Sequence, residues 1–287
     1  MLMKQFGGMG WERDLPDFRD YLVGEGEVDA VLGKSKLLKA VKRAMPSLVD
    51  LREWCSPIEN QENIGSCTAH AGVGLIEYFE RRAFGRHLDA SRLFLYKVTR
   101  NLLGVKGDTG AYLRTTMKAM VKFGVPPEKY WPYDTRRFDE EPPKDCYAYA
   151  QDFQALKYYR LESRRGSTAQ TLKHVRKVIA AGLPVMFGFG VFSSMPGLGE
   201  RSGDIPYPRP EDKLEGGHAV AAVGYDDNRR IGDLVGALLI RNSWSASWGE
   251  FGYGWLPYAY VLDGLAVDFW SLVRTEFADS ELFRSLK

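Results

Sequence analysis

Cysteine is scarce in this chain: Cys55, Cys67 and Cys146 are the only three among 287 residues. So few exclude a disulfide-stapled scaffold, and an odd count leaves at least one thiol unpaired within a monomer. Spacing alone does not bring Cys55 and Cys146 within bridging distance, and three reduced thiols are expected. No apolar run reaches the roughly 18 residues that a membrane span requires. Neither sign of charge dominates, with 39 Lys and Arg against 37 Asp and Glu. No basic stripe interleaves with aromatics, so nucleic acid is not an expected partner. The first residues, Met1 to Gly8, lack the apolar stretch of a secretory signal. The expected location is therefore the cytoplasm, or outside it by a route without a classical signal peptide, unless such a signal has been lost. Histidine is also sparse, at four. Cys67 and His70 form a C-x-x-H pair, but no second Cys/His pair accompanies it, so no metal site and no cofactor are expected.

Most of the remaining composition is that of an ordinary globular chain, with 45 % hydrophobic and 26 % charged residues. Residues 1–45 read as an arm outside the main core. From Glu12 to Asp29 seven acids stand against two arginines, whereas Lys34 to Arg43 carries five bases and no acid. Leu37, Leu38 and Val41 predict a short basic amphipathic helix there. Trp11, Phe18 and Tyr21 have no core of their own, and the arm is expected to dock them by folding back across a cleft.

From Pro46 onward the chain divides into a mainly helical half, 46–165, and a β-rich half, 166–287. Ala69, Val73, Ile76 and Phe79 predict a helix with one buried stripe. Further helices are expected over 91–103 and 112–123, the last stopped by Gly124 and the prolines at 126 and 127. Ser167-Thr-Ala-Gln170 has the form of a capping box opening another helix, which ends at Gly182. Strands follow over 183–191, 219–225 and 237–241, with a further pair beyond Trp248. A Gly- and Pro-rich surface loop is expected between Gly197 and Gly217. Helices first and strands later argue α+β and not alternating βαβ units.

One stretch, Gln61 to Tyr78, organises the rest. A loop through Gly65 and Ser66 turns into a helix with Cys67 in its first turn. Unpaired N–H groups and the helix dipole favour an anion there, so the position suits a thiolate. His218 begins a predicted strand after Gly216 and Gly217, and Asn242 ends another. If the two strands are neighbours, the three side chains form a nucleophile, a base and an orienting amide.

Three ordered segments carry a family resemblance. They are Gln61 six residues before Cys67, Gly217-His218-Ala-Val-Ala-Ala-Val-Gly-Tyr225, and Asn242-Ser-Trp244-Ser-Ala-Ser-Trp248-Gly-Glu-Phe-Gly-Tyr253. The chain resembles the papain-like cysteine peptidases, in a disulfide-poor, bacterial-type form with a short N-terminal arm. The resemblance extends weakly over 46–275. It departs at Ile64, which removes half of a disulfide usual in secreted members, and at Thr68, which replaces a bulky aromatic. His218 and Asn242 lie 151 and 175 residues after Cys67, the second farther than the family spacing. An insert in the 197–217 loop or in the Asp226–Gly236 turn would account for it.

The resemblance implies a helical subdomain and an antiparallel β-rich subdomain flanking an active-site cleft. It implies Cys67, His218 and Asn242 as catalytic residues, with Gln61 and the Cys67 N–H as the oxyanion hole and Trp244 shielding the site. Gly110, Ala111, Tyr112 and Gly217 would bind substrate. The implied reaction is hydrolysis of peptide bonds in peptides or proteins through an acyl-enzyme thioester, with the N-terminal arm as an intramolecular inhibitor. Two alternatives stand beside it: a transpeptidase or acyl transferase using the same thioester, and a non-catalytic binding protein on the same scaffold, to which Thr68 draws attention.

Overall fold

The computed structural model describes residues 7–18, 20–22, 45–153, 157–163 and 165–273. The predicted basic helix over 34–43 lies outside them. In chain order the regular elements are β1 (Trp11–Glu12), β2 (Leu48–Asp50), α1 (Cys67–Phe84), α2 (Arg92–Leu103), β3 (Ala111–Tyr112), α3 (Leu113–Lys122), α4 (Lys144–Ala150), β4 (Lys157–Arg160) and α5 (Thr168–Ala180). They continue with β5 (Val185–Phe192), β6 (Leu214–Ile231), β7 (Leu234–Arg241), β8 (Tyr253–Pro257), α6 (Tyr258–Leu262) and β9 (Ala266–Val273). Short 3₁₀ turns join several of them. The fold is α+β, with its helices concentrated in the first half and one large antiparallel sheet in the second.

The predicted ends hold for physical reasons. Ser91 caps α2 by accepting the Phe94 N–H over 3.2 Å, and Gly104 closes it in the left-handed region. The capping box at Ser167 and Gln170 is complete in both directions. By contrast, α1 is not a one-sided amphipathic helix. Sixteen of its eighteen residues are buried, His70, Glu77, Glu80 and Arg82 among them. It is the central helix, packed between the sheet and α2 and α3, so its polar side chains find partners inside. Glu77 accepts from the Ala90 N–H and from the Ser56 hydroxyl, and that hydroxyl also receives Arg241 over 2.9 Å.

The sheet has the order β4-β9-β5-β6-β7-β8. Strand β6 is its spine, paired with β5 over Leu214–Ala222 and with β7 over Ala221–Ile231. β2 takes over the β5 edge at Gly224–Asp226. The expected loop after Gly197 ends earlier than predicted, because Leu214, Gly216 and Gly217 already pair with β5. Likewise β6 and β7 run on as a hairpin to Ile231 and Leu234, where a turn from Asp226 was expected.

Candidate active site

Cys67 opens α1 and is fully buried, at the junction of the helical half with β6. Its sulfur faces the backbone N–H groups of Ala219, Gly10, Thr68 and Cys67 itself. These donors favour the thiolate, but burial outweighs them and pushes the thiol up to about 11. All three cysteines are free.

Two neighbouring strands deliver the partners. His218 lies on β6 opposite Phe189, and Asn242 follows the last residue of β7, Arg241, which pairs with Ala221 on β6. The imidazole Nε2 and Asn242 Oδ1 are 2.7 Å apart. An amide oxygen only accepts, so Nε2 carries the hydrogen and Nδ1 is the lone-pair nitrogen. That Nδ1 is buried and has no hydrogen-bond partner among the described residues. Trp244 stacks on the His218 ring at 4.5 Å and 28°, and Trp248 abuts Trp244 edge-on. Both indoles are fully buried. Burial lowers the imidazole to about 4. With the cleft in this state, thiol and imidazole are both neutral at pH 7.

Gln61 is fully buried, and its side chain has a fixed orientation. The Ser243 hydroxyl donates to Gln61 Oε1 over 2.5 Å, which turns the amide nitrogen towards the cleft. From there Nε2 donates to the carbonyls of Gly8 (2.7 Å) and Ile64 (3.0 Å). The structure thus brings Cys67, His218, Asn242, Gln61 and Trp244 together. Ser243 was not singled out from sequence, although it stands inside the Asn-Ser-Trp segment. His70, the other member of the C-x-x-H pair, turns its Nδ1 to the Ser66 carbonyl at 3.1 Å.

Residues 8–12 of the N-terminal arm lie against these groups. The Gly8 N–H donates to the Glu62 carbonyl over 2.8 Å, and Trp244 Nε1 reaches the Gly8 carbonyl at 3.4 Å. The Gly10 carbonyl then accepts the Ala111 N–H over 2.7 Å, and β1 pairs in parallel with β3, Trp11 on Ala111 and Glu12 on Tyr112. Backbones cross so closely here that a side chain at Gly10 would overlap the Gly65 carbonyl, and one at Gly110 the Gly10 carbonyl. Gly217 faces the Trp11 carbonyl. The arm therefore contacts the segment Gly110, Ala111, Tyr112 and Gly217. Beyond Trp11, Arg114 on α3 binds Asp14 (2.5 Å), Asp20 (2.7 and 2.9 Å) and the Leu15 carbonyl (2.6 Å). Leu22 is buried beside Arg160, whose N–H donates to the Tyr21 carbonyl.

Of the three arm aromatics expected to dock, Trp11 packs against the core, whereas the other two stay largely at the surface. Phe18 is 77 % and Tyr21 48 % exposed. Charge and backbone pairing anchor that part of the arm instead, and the seven acids between Glu12 and Asp29 were the available signal. Arg114 and the buried Asp268, both in contact with the arm, were not found from sequence.

Comparison with known proteins bears on the same residues. Residues 45–260 match the model of the family described as papain family cysteine protease. An uncharacterised peptidase C1-like protein of Acanthamoeba polyphaga mimivirus is 32 % identical over 272 residues, covering 91 % of this chain and 85 % of the relative. The thiol protease aleurain of Arabidopsis thaliana is 27 % identical over 92 % of this chain and 69 % of its own length. Among solved structures, xylellain, a cysteine protease from Xylella fastidiosa, superimposes with a TM-score of 0.74 at 34 % identity, covering 96 % of this chain and 99 % of that one.

Proposed function

Since the chain belongs to the papain family of cysteine proteases, we propose that its cleft hydrolyses internal peptide bonds through a Cys67 thioester, and that the N-terminal arm holds this activity in check. The observation that carries the reading is the buried His218 Nδ1, left without a partner while Nε2 is fixed by Asn242. This nitrogen is free to take the thiol proton. The thiolate attacks the scissile carbonyl, and the imidazolium returns its proton to the leaving amine. Water then attacks the thioester, with His218 as base.

Charge develops on the carbonyl oxygen in both steps. The Gln61 amide and the Cys67 N–H supply donors for it, and the bond from Gln61 to the Gly8 carbonyl supports this use, since a carbonyl already occupies the position. Gly110, Ala111, Tyr112 and Gly217 would bind substrate backbone along the edge that now pairs with Trp11 and Glu12. A chain that runs past the thiol in both directions suits a cleft open at both ends, and hence endopeptidase action.

Two features support the inhibitory role of the arm. Its backbone occupies the carbonyl position and the pairing edge. It also lies over Cys67, and on this reading it shares in the burial that keeps thiol and imidazole neutral. Departure of the arm would rehydrate them and restore the thiolate–imidazolium pair. No described helix is long and apolar enough to cross a membrane.

Gly10→Val tests both parts in the full-length chain, because its side chain would collide with the Gly65 carbonyl and lift the arm. Hydrolysis of a fluorogenic peptide amide should rise at least tenfold over wild type and vanish in Gly10→Val/Cys67→Ser. An unchanged rate in a folded variant would refute the arm's role. No hydrolysis by either protein would refute the peptidase reading.

A further inference from the structure

Two glycine-containing segments converge beside the thiol. One is the loop Ile64-Gly65-Ser66 that delivers Cys67, and the other is Asp108-Thr109-Gly110 ahead of β3. All three cysteines are free, so no disulfide joins them. A single carboxylate oxygen does so instead. Asp108 Oδ1 accepts the Gly65 N–H over 2.8 Å and the Tyr96 hydroxyl over 2.5 Å. The same Tyr96 oxygen accepts the Gly110 N–H over 3.2 Å. Tyr96 is fully buried on α2, and burial together with the carboxylate pushes its phenol up, so it remains a donor. One turn along α2, the buried Arg100 guanidinium lies 4.2 Å from the centre of the Tyr96 ring. It donates to the Gly107 carbonyl and to Asp139, and Asp139 accepts the Gly107 N–H over 3.1 Å. The residue before Asp108 is thereby fixed as well.

We propose that Asp108 is a positioning residue for the peptidase reaction, a non-covalent clamp that sets the thiol loop against the edge where substrate backbone pairs. The inference rests on the peptidase reading above and adds the residue that aligns the two sides of its site. Gly65 stands two residues before Cys67, whose N–H is an oxyanion donor on that reading. Gly110 immediately precedes Ala111, whose N–H is the donor that now pairs with the Gly10 carbonyl. The clamp therefore joins the two backbone segments that must hold one substrate, the reacting carbonyl on the first and the flanking backbone on the second. The contact has no slack, since a Cβ at Gly65 would sit 3.2 Å from Asp108 Oδ1 and 3.3 Å from the Gly110 nitrogen. Asp108 itself is exposed and fills no place in the core, so its loss removes little packing. What its loss removes is the shared acceptor that keeps hole and edge in register. A misplacement of about 1 Å at a reacting group costs roughly 10²-fold in rate.

The test uses full-length Gly10→Val, alkylation of Cys67 by iodoacetamide, and protection of Cys67 from that reagent by a peptide aldehyde. Iodoacetamide needs only an accessible thiolate. The aldehyde carbon bonds to the thiol sulfur while its oxygen takes up the thiol proton, so tight addition needs hole and edge in register. Adding Asp108→Ala should leave alkylation within about twofold and raise the aldehyde concentration for half protection at least tenfold. Asp108→Asn, whose Oδ1 still accepts from Gly65 and Tyr96, should bring that concentration back to within about threefold of the parent. Should Asp108→Ala not fold, Tyr96→Phe keeps the buried ring and removes the hydroxyl that links Asp108 to Gly110. It should raise the half-protection concentration at least threefold, again without slowing alkylation. Unchanged protection in Asp108→Ala, an equal loss in Asp108→Asn, or a fall in alkylation that matches the loss of protection would each overturn the proposal. The expected protection pattern without hydrolysis of a fluorogenic peptide would leave the clamp standing and refute the peptidase reading, whereas no protection of the Gly10→Val parent would refute both.

Discussion

Replacing Asp20 by Asn should open the cleft while leaving the body of the protein undisturbed. The Asp20 side chain is only 3 % exposed and both of its oxygens face arginines. Arg114 donates to them over 2.7 and 2.9 Å, and Arg160 lies 3.6 Å away. An amide of the same shape keeps the oxygen that accepts the Asp17 N–H over 3.0 Å. Neither arginine is stranded by the change. Arg114 retains Asp14 at 2.5 Å, and Arg160 retains Glu162 and Asp268. The loss is therefore the charge of one bidentate pair. Charge-assisted hydrogen bonds of this kind contribute about 1.5–3 kcal/mol each. The amide recovers part of this, and Arg114 is 20 % exposed, so a net weakening of about 2–3 kcal/mol follows. That corresponds to a rise of roughly 30- to 150-fold in the population with the arm released. Alkylation of Cys67 by iodoacetamide reads this population directly when the arm recloses faster than the reagent reacts. Asp134→Asn, which touches the pair with the 87 % exposed Arg136, is the control and should alter the rate less than twofold. A rise below threefold for Asp20→Asn, with circular dichroism and Tm unchanged, would refute the argument that this ion pair holds the cleft shut.

Two other perturbations have signs fixed by burial. His218 is neutral in the closed state and lowered to about 4, against about 6.5 when unfolded. Between those values the unfolded chain takes up a proton that the folded chain does not, so stability falls as pH drops from about 6.5 to 4, by about 3 kcal/mol. Burial raises Glu77 to about 7, which acts in the opposite sense, so the His218 contribution is read as the difference between wild type and His218→Gln in urea unfolding across that range. Parallel profiles for the two proteins would contradict it. Glu77→Ala removes the acceptor of the Ala90 N–H and the Ser56 hydroxyl, together with the buried carboxylate whose charge faces Arg241. A loss of about 3–5 kcal/mol is expected by equilibrium unfolding, and one below 1 kcal/mol would show that Arg241 is sufficiently served by Ser56 and Pro57.

The parts legible in the sequence were those whose chemistry is local. Ser91, Ser167 and Gly104 set helix ends through bonds within a few residues, so their positions could be read from residue type alone. The proposed catalytic residues were legible for a different reason. Each sits in its own short segment, and those segments, from Gln61 to Cys67 and from Asn242 to Tyr253, carry the family resemblance. What a pattern of spacings could not reveal is orientation. Ser243 stands in the recognised segment, yet only the fold shows its hydroxyl turning the Gln61 amide towards the cleft. Similarly, α1 read as amphipathic because its buried polar residues could not be told from a solvent face until Ser56, Ala90 and Arg241 were found around Glu77.

The arm exposes the limit of pattern reading more sharply. Its aromatics pointed to docking by hydrophobic burial, but Phe18 and Tyr21 remain exposed while the acids do the anchoring. A small apolar contact gains little for a segment that must pay its own ordering entropy, whereas a carboxylate meeting a half-buried arginine gains more and is specific in geometry. Arg114 is separated from Asp20 by 94 residues, and Asp268 from Trp11 by 257, so nothing in the local sequence links them. The glycines at 8 and 10 have the same origin. They let the arm's backbone lie against Ile64, Gly65 and Gly110 where a side chain would not fit. The result is an arm that fits this cleft by the absence of side chains near the thiol, by one indole beyond it and by carboxylates farther out.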